Sequence, residues 1–243
     1  MLPKIDVPIY DLTLPSNGKK VRFRPFLVKE EKLFLMAAES NDAKTVVNTI
    51  KQVLQNCCLT DIDIEKLPIF DIEYFFMNLR ARSVGEVVEL NYRCMNEVEK
   101  EGGEKEQCKG LEKFQVNLLE IQPTKNETHQ NKIQVSDKLG IFMKYPSFDL
   151  FDSFDNEMNN ENIVDLVINC IDYIYDEKEV YYAKDVSKEE MVEFVDSLPR
   201  KTLDELRNFF ETMPKMSKRL QFSCKKCGHS EDIDIEGVQN FFV

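Results

Sequence analysis

Leu220-Gln221-Phe222-Ser223-Cys224-Lys225-Lys226-Cys227-Gly228-His229 is the stretch whose reading decides the fold. Its centre, Cys224-Lys225-Lys226-Cys227-Gly228, reads as a zinc knuckle. Two thiolates spaced Cys-x-x-Cys bind one metal from a tight turn, and the glycine lets the backbone fold under the sulfurs. Leu220 and Phe222 alternate before it, and Ile233 and Ile235 alternate beyond it, so the knuckle joins two strands. One knuckle supplies two ligands, and a structural zinc site needs four.

The same pattern recurs upstream. Val88, Leu90 and Tyr92 alternate into Cys94, and Phe114, Val116 and Leu118 alternate beyond Cys108. Cys94 and Cys108 therefore stand at the inner ends of two predicted strands. Thirteen residues, Met95 to Gln107, lie between them, an insertion in the knuckle loop. Closing a longer loop costs little more, because the entropy grows with the logarithm of length. The expectation is a structural zinc held by Cys94, Cys108, Cys224 and Cys227. Four thiolates leave no open position for water or substrate. His229 is the alternative donor for one thiolate. A redox Cys-x-x-Cys fits worse, because such motifs usually open a helix in a βαβ unit. Cys57, Cys58 and Cys170 fall on predicted helices and read as core or near-core thiols.

Working outward, residues 1–27 read as extended, with Pro3, Pro8, Pro15 and Pro25 against helix and Ser16-Asn17-Gly18 as a hairpin turn. Residues 28–83 read as helical. Ala43, Val46, Val47, Ile50, Val53, Leu54 and Cys57 share one helix face, with Asn41 or Asp42 as its cap, and a further helix fits 71–82. Residues 84–145 read as β-rich, with a charged loop from Glu97 to Gln107 and a polar, flexible loop from Pro123 to Asn131. Leu139, Ile141, Met143 and Tyr145 form another alternating stretch.

Residues 147–214 read as an acidic, then basic, helical segment. Its buried stripe is Ile163, Leu166, Val167, Cys170, Ile171 and Ile174, and capping boxes are expected at Ser187–Glu190 and Thr202–Glu205. Residues 215–243 carry the second knuckle and a tail ending Phe241-Phe242-Val243. No repeat or linker separates two independent parts. The predicted architecture is a single α+β domain over 1–243, with helical regions around a small antiparallel β module that carries the zinc-ribbon-like two-hairpin site.

Composition narrows the function. With 42% hydrophobic residues the chain is too apolar for wholesale disorder. No apolar run reaches the length of a membrane span, and the start lacks the pattern of a secretory signal. Seven cysteines without such a signal point to free thiols, a metal site or both. The net charge of −12 makes a poor general nucleic-acid binder. Ser147–Leu198 alone holds 15 Asp/Glu against 3 Lys, and Pro199–His229 is locally +5. These are solvated faces or an acidic docking face for a partner protein.

Nothing argues for catalysis. There is no glycine-rich phosphate loop, nucleophile elbow or His-Glu-x-x-His motif. His129, in a polar loop, reads as exposed and inert. Phe148, Phe151 and Phe154, every third residue among acids, read as a helix-edge core stripe or a partner anchor.

Five stretches carry a further signal: Leu2-Pro3-Lys4-Ile5, Lys20-Val21-Arg22-Phe23-Arg24-Pro25-Phe26-Leu27-Val28-Lys29-Glu30-Glu31-Lys32, Lys144-Tyr145-Pro146-Ser147, Phe209-Phe210-Glu211-Thr212-Met213-Pro214-Lys215, and the knuckle through Glu236-Gly237 to Phe241-Phe242. In these the chain resembles the baseplate hub assembly proteins of T-even-type phages. The resemblance implies a non-enzymatic tail protein of a contractile phage, a hub subunit or an assembly chaperone. Its partners would be other baseplate hub or tape-measure proteins, with neither nucleic acid nor membrane, and homo-oligomers stay open. Its place would be the host cytoplasm during assembly, or the baseplate of the virion tail. The alternative from the residues themselves is a zinc-ribbon nucleic-acid or transcription adaptor.

Overall fold

The structure is a computed structural model that describes residues 5–40, 42–99, 103, 105–124, 126–153 and 160–236. Along the chain run β1 (Tyr10–Thr13), β2 (Lys20–Phe23), α1 (Val28–Ser40), α2 (Ala43–Cys57), α3 (Ile69–Ser83), β3 (Val87–Arg93), β4 (Glu97–Glu99), β5 (Lys105–Gln107) and β6 (Leu111–Asn117). Then follow β7 (Lys132–Gln134), β8 (Gly140–Met143), α4 (Phe148–Ser153), α5 (Asn160–Cys170), β9 (Ile171–Tyr175), β10 (Val180–Tyr182), α6 (Lys188–Asp196), α7 (Arg200–Thr212), β11 (Ser217–Ser223) and β12 (Ser230–Glu236). This is a mixed α/β protein with small antiparallel sheets. Its contacts divide into two compact units: residues 1–62, 73–124 and 215–243, and residues 63–72 and 125–214.

The first unit opens with the expected hairpin. β1 and β2 pair antiparallel around a turn in which Gly18 has φ +70°. The side chain of Asp42 accepts from the N–H groups of Lys44 and Thr45 and so caps α2. Ile50, Val53, Leu54 and Cys57 bury one α2 stripe at the spacing read from the sequence. Phe23 meets Phe75 edge-on at 5.4 Å, and Phe34 meets Phe76 at 5.7 Å. Glu30, fully buried, is not left unpaired. Arg24 Nη2 donates to its Oε1 at 2.9 Å, and the Leu27 N–H donates to Oε2 at 2.8 Å. Burial raises the Glu30 carboxyl's pKa, but the Arg24 guanidinium and the Leu27 N–H outweigh it and hold the group below its ordinary range. β3 pairs β6 from Val87↔Asn117 to Arg93↔Leu111, and β11 pairs β12 from Ser217↔Glu236 to Ser223↔Ser230. The expected loop from Glu97 to Gln107 contains a small hairpin, β4 against β5.

The second unit is built on a four-stranded antiparallel sheet in the order β10-β9-β8-β7. Ile141, Met143, Ile171 and Ile174 from the sheet pack with Val167, Met191, Val195, Leu206 and Phe209 from the helices. Two expectations fail here. Ile171 and Ile174 continue the apolar stripe of α5 in sequence, yet they sit in β9, because the helix ends at Cys170. The run Ile171-Asp172-Tyr173-Ile174-Tyr175 is β-branched and aromatic, which favours a pleated strand. The second failure is Thr202, which is not a cap. α7 starts at Arg200 behind Pro199, and Thr202 is buried inside it. The box at Ser187 and Glu190 forms as expected, with both reciprocal hydrogen bonds. Phe154 and Phe241-Phe242-Val243 lie outside the described residues, as do the side chains of Ala43, Phe151 and Ile163.

Candidate metal centre

Cys94 directly follows β3 and Cys108 precedes β6, while Cys224 directly follows β11 and Cys227 precedes β12. Their four sulfurs all lie within 4.8 Å of one another. Cys94 Sγ is 3.7 Å from Cys227 Sγ, and Cys108 Sγ is 3.6 Å from Cys224 Sγ. A disulfide would need about 2.05 Å, so these are free thiols. A tetrahedron of sulfurs each about 2.3 Å from zinc has edges of about 3.8 Å. The 3.6 and 3.7 Å separations fit that figure, and the four residues could hold a metal ion.

The backbone of each hairpin is wrapped around its cysteines in the same way. In the first, the Cys94 N–H donates to Gly110 O at 2.8 Å and the Lys109 N–H to Cys94 O at 3.1 Å. In the second, the Cys224 N–H donates to His229 O at 2.8 Å and the Gly228 N–H to Cys224 O at 2.8 Å. The residue after the second cysteine is left-handed in both, with φ +54° at Lys109 and +75° at Gly228. The inserted hairpin leaves from this frame, and the Cys108 N–H to Asn96 O bond at 2.8 Å pins its base.

Electrostatics differ among the thiols. Burial pushes the Cys94 thiol up to about 12 and raises Cys108 as well. The backbone N–H of His229 brings Cys227 down to about 6. N–H groups of Asn96 and Gly110 likewise favour the thiolate at Cys94 and Cys108. A cation at the centre would ionise its thiol ligands outright, and these donors would then stabilise the thiolates.

A small core underlies the cluster. Phe222 is buried between Tyr92, edge-on at 4.8 Å, and Phe114 at 6.4 Å. Polar ties join the hairpins at the rim. Lys225 gives both its N–H and its Nζ to Glu112, at 3.1 and 2.9 Å, and Lys226 Nζ donates to Cys108 O at 2.7 Å. The Tyr92 hydroxyl reaches Glu231 at 3.3 Å.

The remaining candidates fall elsewhere. The His229 ring is outside the cluster, with Nε2 3.7 Å from Glu231, so this residue serves through its backbone. Cys57 is buried beside Arg24 with its thiol raised to about 11, and burial pushes Cys170 to about 12. Cys58 is half-buried, its thiol 3.2 Å from Thr60 O. His129 corrects the expectation of an exposed, inert side chain. It is half-buried against Tyr145 and Phe209, with Nδ1 3.0 Å from Thr212 Oγ1 and Nε2 3.2 Å from the Tyr145 hydroxyl. Its aromatic neighbours come from distant segments and leave no trace near residue 129. Gly110 was not singled out by its spacing. A Cβ there would lie 2.6 Å from Cys224 Sγ, so the first hairpin approaches the second closely at this point.

Fold and site together define a mixed α/β protein whose two hairpins bring four thiols into a closed cluster. The T4 bacteriophage base plate protein family model matches residues 7–243, and the chain belongs to this family. No curated protein and no solved structure matches it. No helix among the described residues is long and apolar enough to cross a membrane.

Proposed function

We propose that this baseplate protein is a non-enzymatic hub subunit or hub assembly factor of a contractile tail. Cys94, Cys108, Cys224 and Cys227 hold a structural zinc in a zinc-ribbon-like site. The observation that carries the reading is the pairing of a family match over residues 7–243 with a four-thiol cluster whose members lie up to 133 residues apart. Zinc there ties the two hairpins together and supplies no chemistry to a substrate, since four thiolates close the coordination sphere. Its apparent binding energy, on the order of 10 kcal/mol, adds to folding. The protein then works through contacts with other baseplate hub or tape-measure proteins, in the host cytoplasm during assembly and, for a subunit, in the tail.

The nucleic-acid adaptor reading has less support. Of the cations near the second knuckle, Lys225 is engaged by Glu112, Arg219 by Asp234 at 2.8 Å twice, and Lys226 by Cys108 O. The carboxylates beside Lys225 and Arg219 lower the positive potential that a phosphate would meet there, while Lys226, on a neutral carbonyl, keeps its charge.

Quantitative mass spectrometry of gradient-purified virions against infected-cell lysate tests the proposal. A fixed ratio to hub proteins in particles marks a subunit. Abundance in lysate with loss from particles, together with co-purification with hub proteins, marks an assembly factor. Absence of every tail protein from a pull-down refutes both. Metal analysis of the purified chain tests the zinc, with one equivalent expected.

A further inference from the structure

The four-stranded sheet of the second unit buries one face under α5, α6 and α7. The register assigns the other face. Lys132 stands opposite Phe142, Phe142 opposite Tyr173, and Tyr173 opposite Tyr182. Tyr175 lies on the same face, opposite Val180. The open face of an antiparallel sheet ordinarily carries polar side chains. Here rings run across it: Phe142 stacks on Tyr173 at 4.9 Å, and Tyr173 meets Tyr182 edge-on at 5.9 Å. Val180 and Tyr182 remain 49% and 48% exposed.

Charge on this face opposes that of its unit. Residues 63–72 and 125–214 hold 23 Asp/Glu against 11 Lys/Arg. Yet the paired strand positions on the ring-bearing face carry no carboxylate. Two lysines bracket the rings instead. Lys132 Nζ lies 4.8 Å from the Tyr175 ring centre, and Lys184 Nζ lies 5.4 Å from that of Tyr182. Both lysines are exposed.

We propose that this face docks an acidic amphipathic helix of another baseplate protein. Tyrosine is enriched where interfaces concentrate their binding energy, and a helix layer is the usual cover for a sheet face. Lys132 belongs to the edge strand β7 and Lys184 follows the other edge strand, β10. The partner therefore presents carboxylates flanking an apolar stretch. Single-stranded nucleic acid also stacks on rings beside cations, but a polyphosphate is repelled by a unit this acidic. Two carboxylates beside an apolar stretch bring far less negative charge into that field than a polyphosphate does. The proposal rests on membership of the baseplate family and not on the zinc.

The test places photoreactive benzoylphenylalanine at Tyr182 of the full chain in infected cells. The expected crosslink maps to an acidic helical segment of one baseplate protein. In the Lys132→Glu/Lys184→Glu variant the yield falls tenfold or more, and lysines at the partner's carboxylates restore it. Thermal midpoints within a few degrees of the parent confirm that the variant folds. Crosslinks to nucleic acid, to a second copy of this chain or to a basic segment overturn the proposal, as does an unchanged or absent crosslink. If the chain co-purifies with hub proteins while the crosslink goes elsewhere, only this surface fails. If nothing co-purifies, the hub reading fails as well.

Discussion

The two cysteine hairpins share a backbone frame and differ in what fills it. In both, the first cysteine's N–H bonds to the carbonyl two residues past the second cysteine, and the next residue's N–H bonds back. The second hairpin closes this frame over Lys225-Lys226, and the first closes it over Met95–Gln107. The frame, and not the loop length, therefore positions the sulfurs. The residues behind the second cysteine are also exchanged. The first hairpin has Lys109-Gly110 and the second has Gly228-His229. Gly228 serves the left-handed turn, with open space where a Cβ would go, whereas Gly110 serves the approach to Cys224 Sγ. One residue type answers two different constraints at adjacent places in matched hairpins.

The largest way to break the equivalence is to remove a ligand. Cys94→Ser and Cys224→Ser should each lose zinc and unfold the module, on the order of 10 kcal/mol of apparent metal binding being at stake. Cys170→Ser should leave the zinc content at the parental value. Metal analysis with melts in the presence and absence of a chelator decides this. Equal zinc in all three variants would refute the site.

Gly110→Ala comes next. Its Cβ meets sulfur at 2.6 Å, and such overpacking should cost about 1–3 kcal/mol and weaken zinc retention against a competing chelator. Gly228→Ala should cost only the left-handed backbone term, about 1–2 kcal/mol, with retention unchanged. Identical chelator profiles would remove the distinction between the glycines.

Replacing Met95–Gln107 with Lys-Lys tests the shared frame directly. The shortened loop should keep the metal, and the closure term shifts stability by no more than about 2 kcal/mol. Loss of metal would show that the inserted hairpin is part of the site.

The smallest expected effect is at His229→Ala. It uses only the backbone, so zinc should stay constant in metal analysis. The other histidine gives a prediction in acid. Burial holds the His129 imidazole below its ordinary value of 6.5, so the folded state binds its proton less readily than the unfolded state. Its stabilisation is complete above about pH 6.5 and is lost as pH falls through the lowered folded value. His129→Gln should flatten that limb of a melt-against-pH curve.

The legible part of this molecule was local. Cys224 and Cys227 announce themselves by spacing, and Cys94 and Cys108 by the alternation of Val88-Leu90-Tyr92 and Phe114-Val116 beside them. The α2 stripe and the Ser187 box were equally plain. What escaped was set by competition or by distance. Ile171 and Ile174 keep helical spacing with Cys170, and no glycine or proline marks the switch to strand. The aromatic runs Ile171–Tyr175 and Val180–Tyr182 were the available signal. Thr202 matched a cap pattern, but Pro199 had already started α7 upstream. Only Val98 hints at a hairpin among the charges of the insertion, and it is the residue that packs against the cysteine core. The surroundings of His129 come from Tyr145 and Phe209, which no local window contains.

The wide separation of the cysteines has a consequence for biogenesis. Cys108 leaves the ribosome 116 residues ahead of Cys224, a lag of about 6 to 23 s at bacterial synthesis rates. Residues 125–214, most of the second unit, emerge whole within that interval. The first pair of thiols is therefore made without its counterparts, and the four-thiol cluster can assemble only after Cys224 and Cys227 have both emerged. A chain released before Cys224 would carry half of the cluster and none of the ties from Lys225 and Lys226 that join its two hairpins.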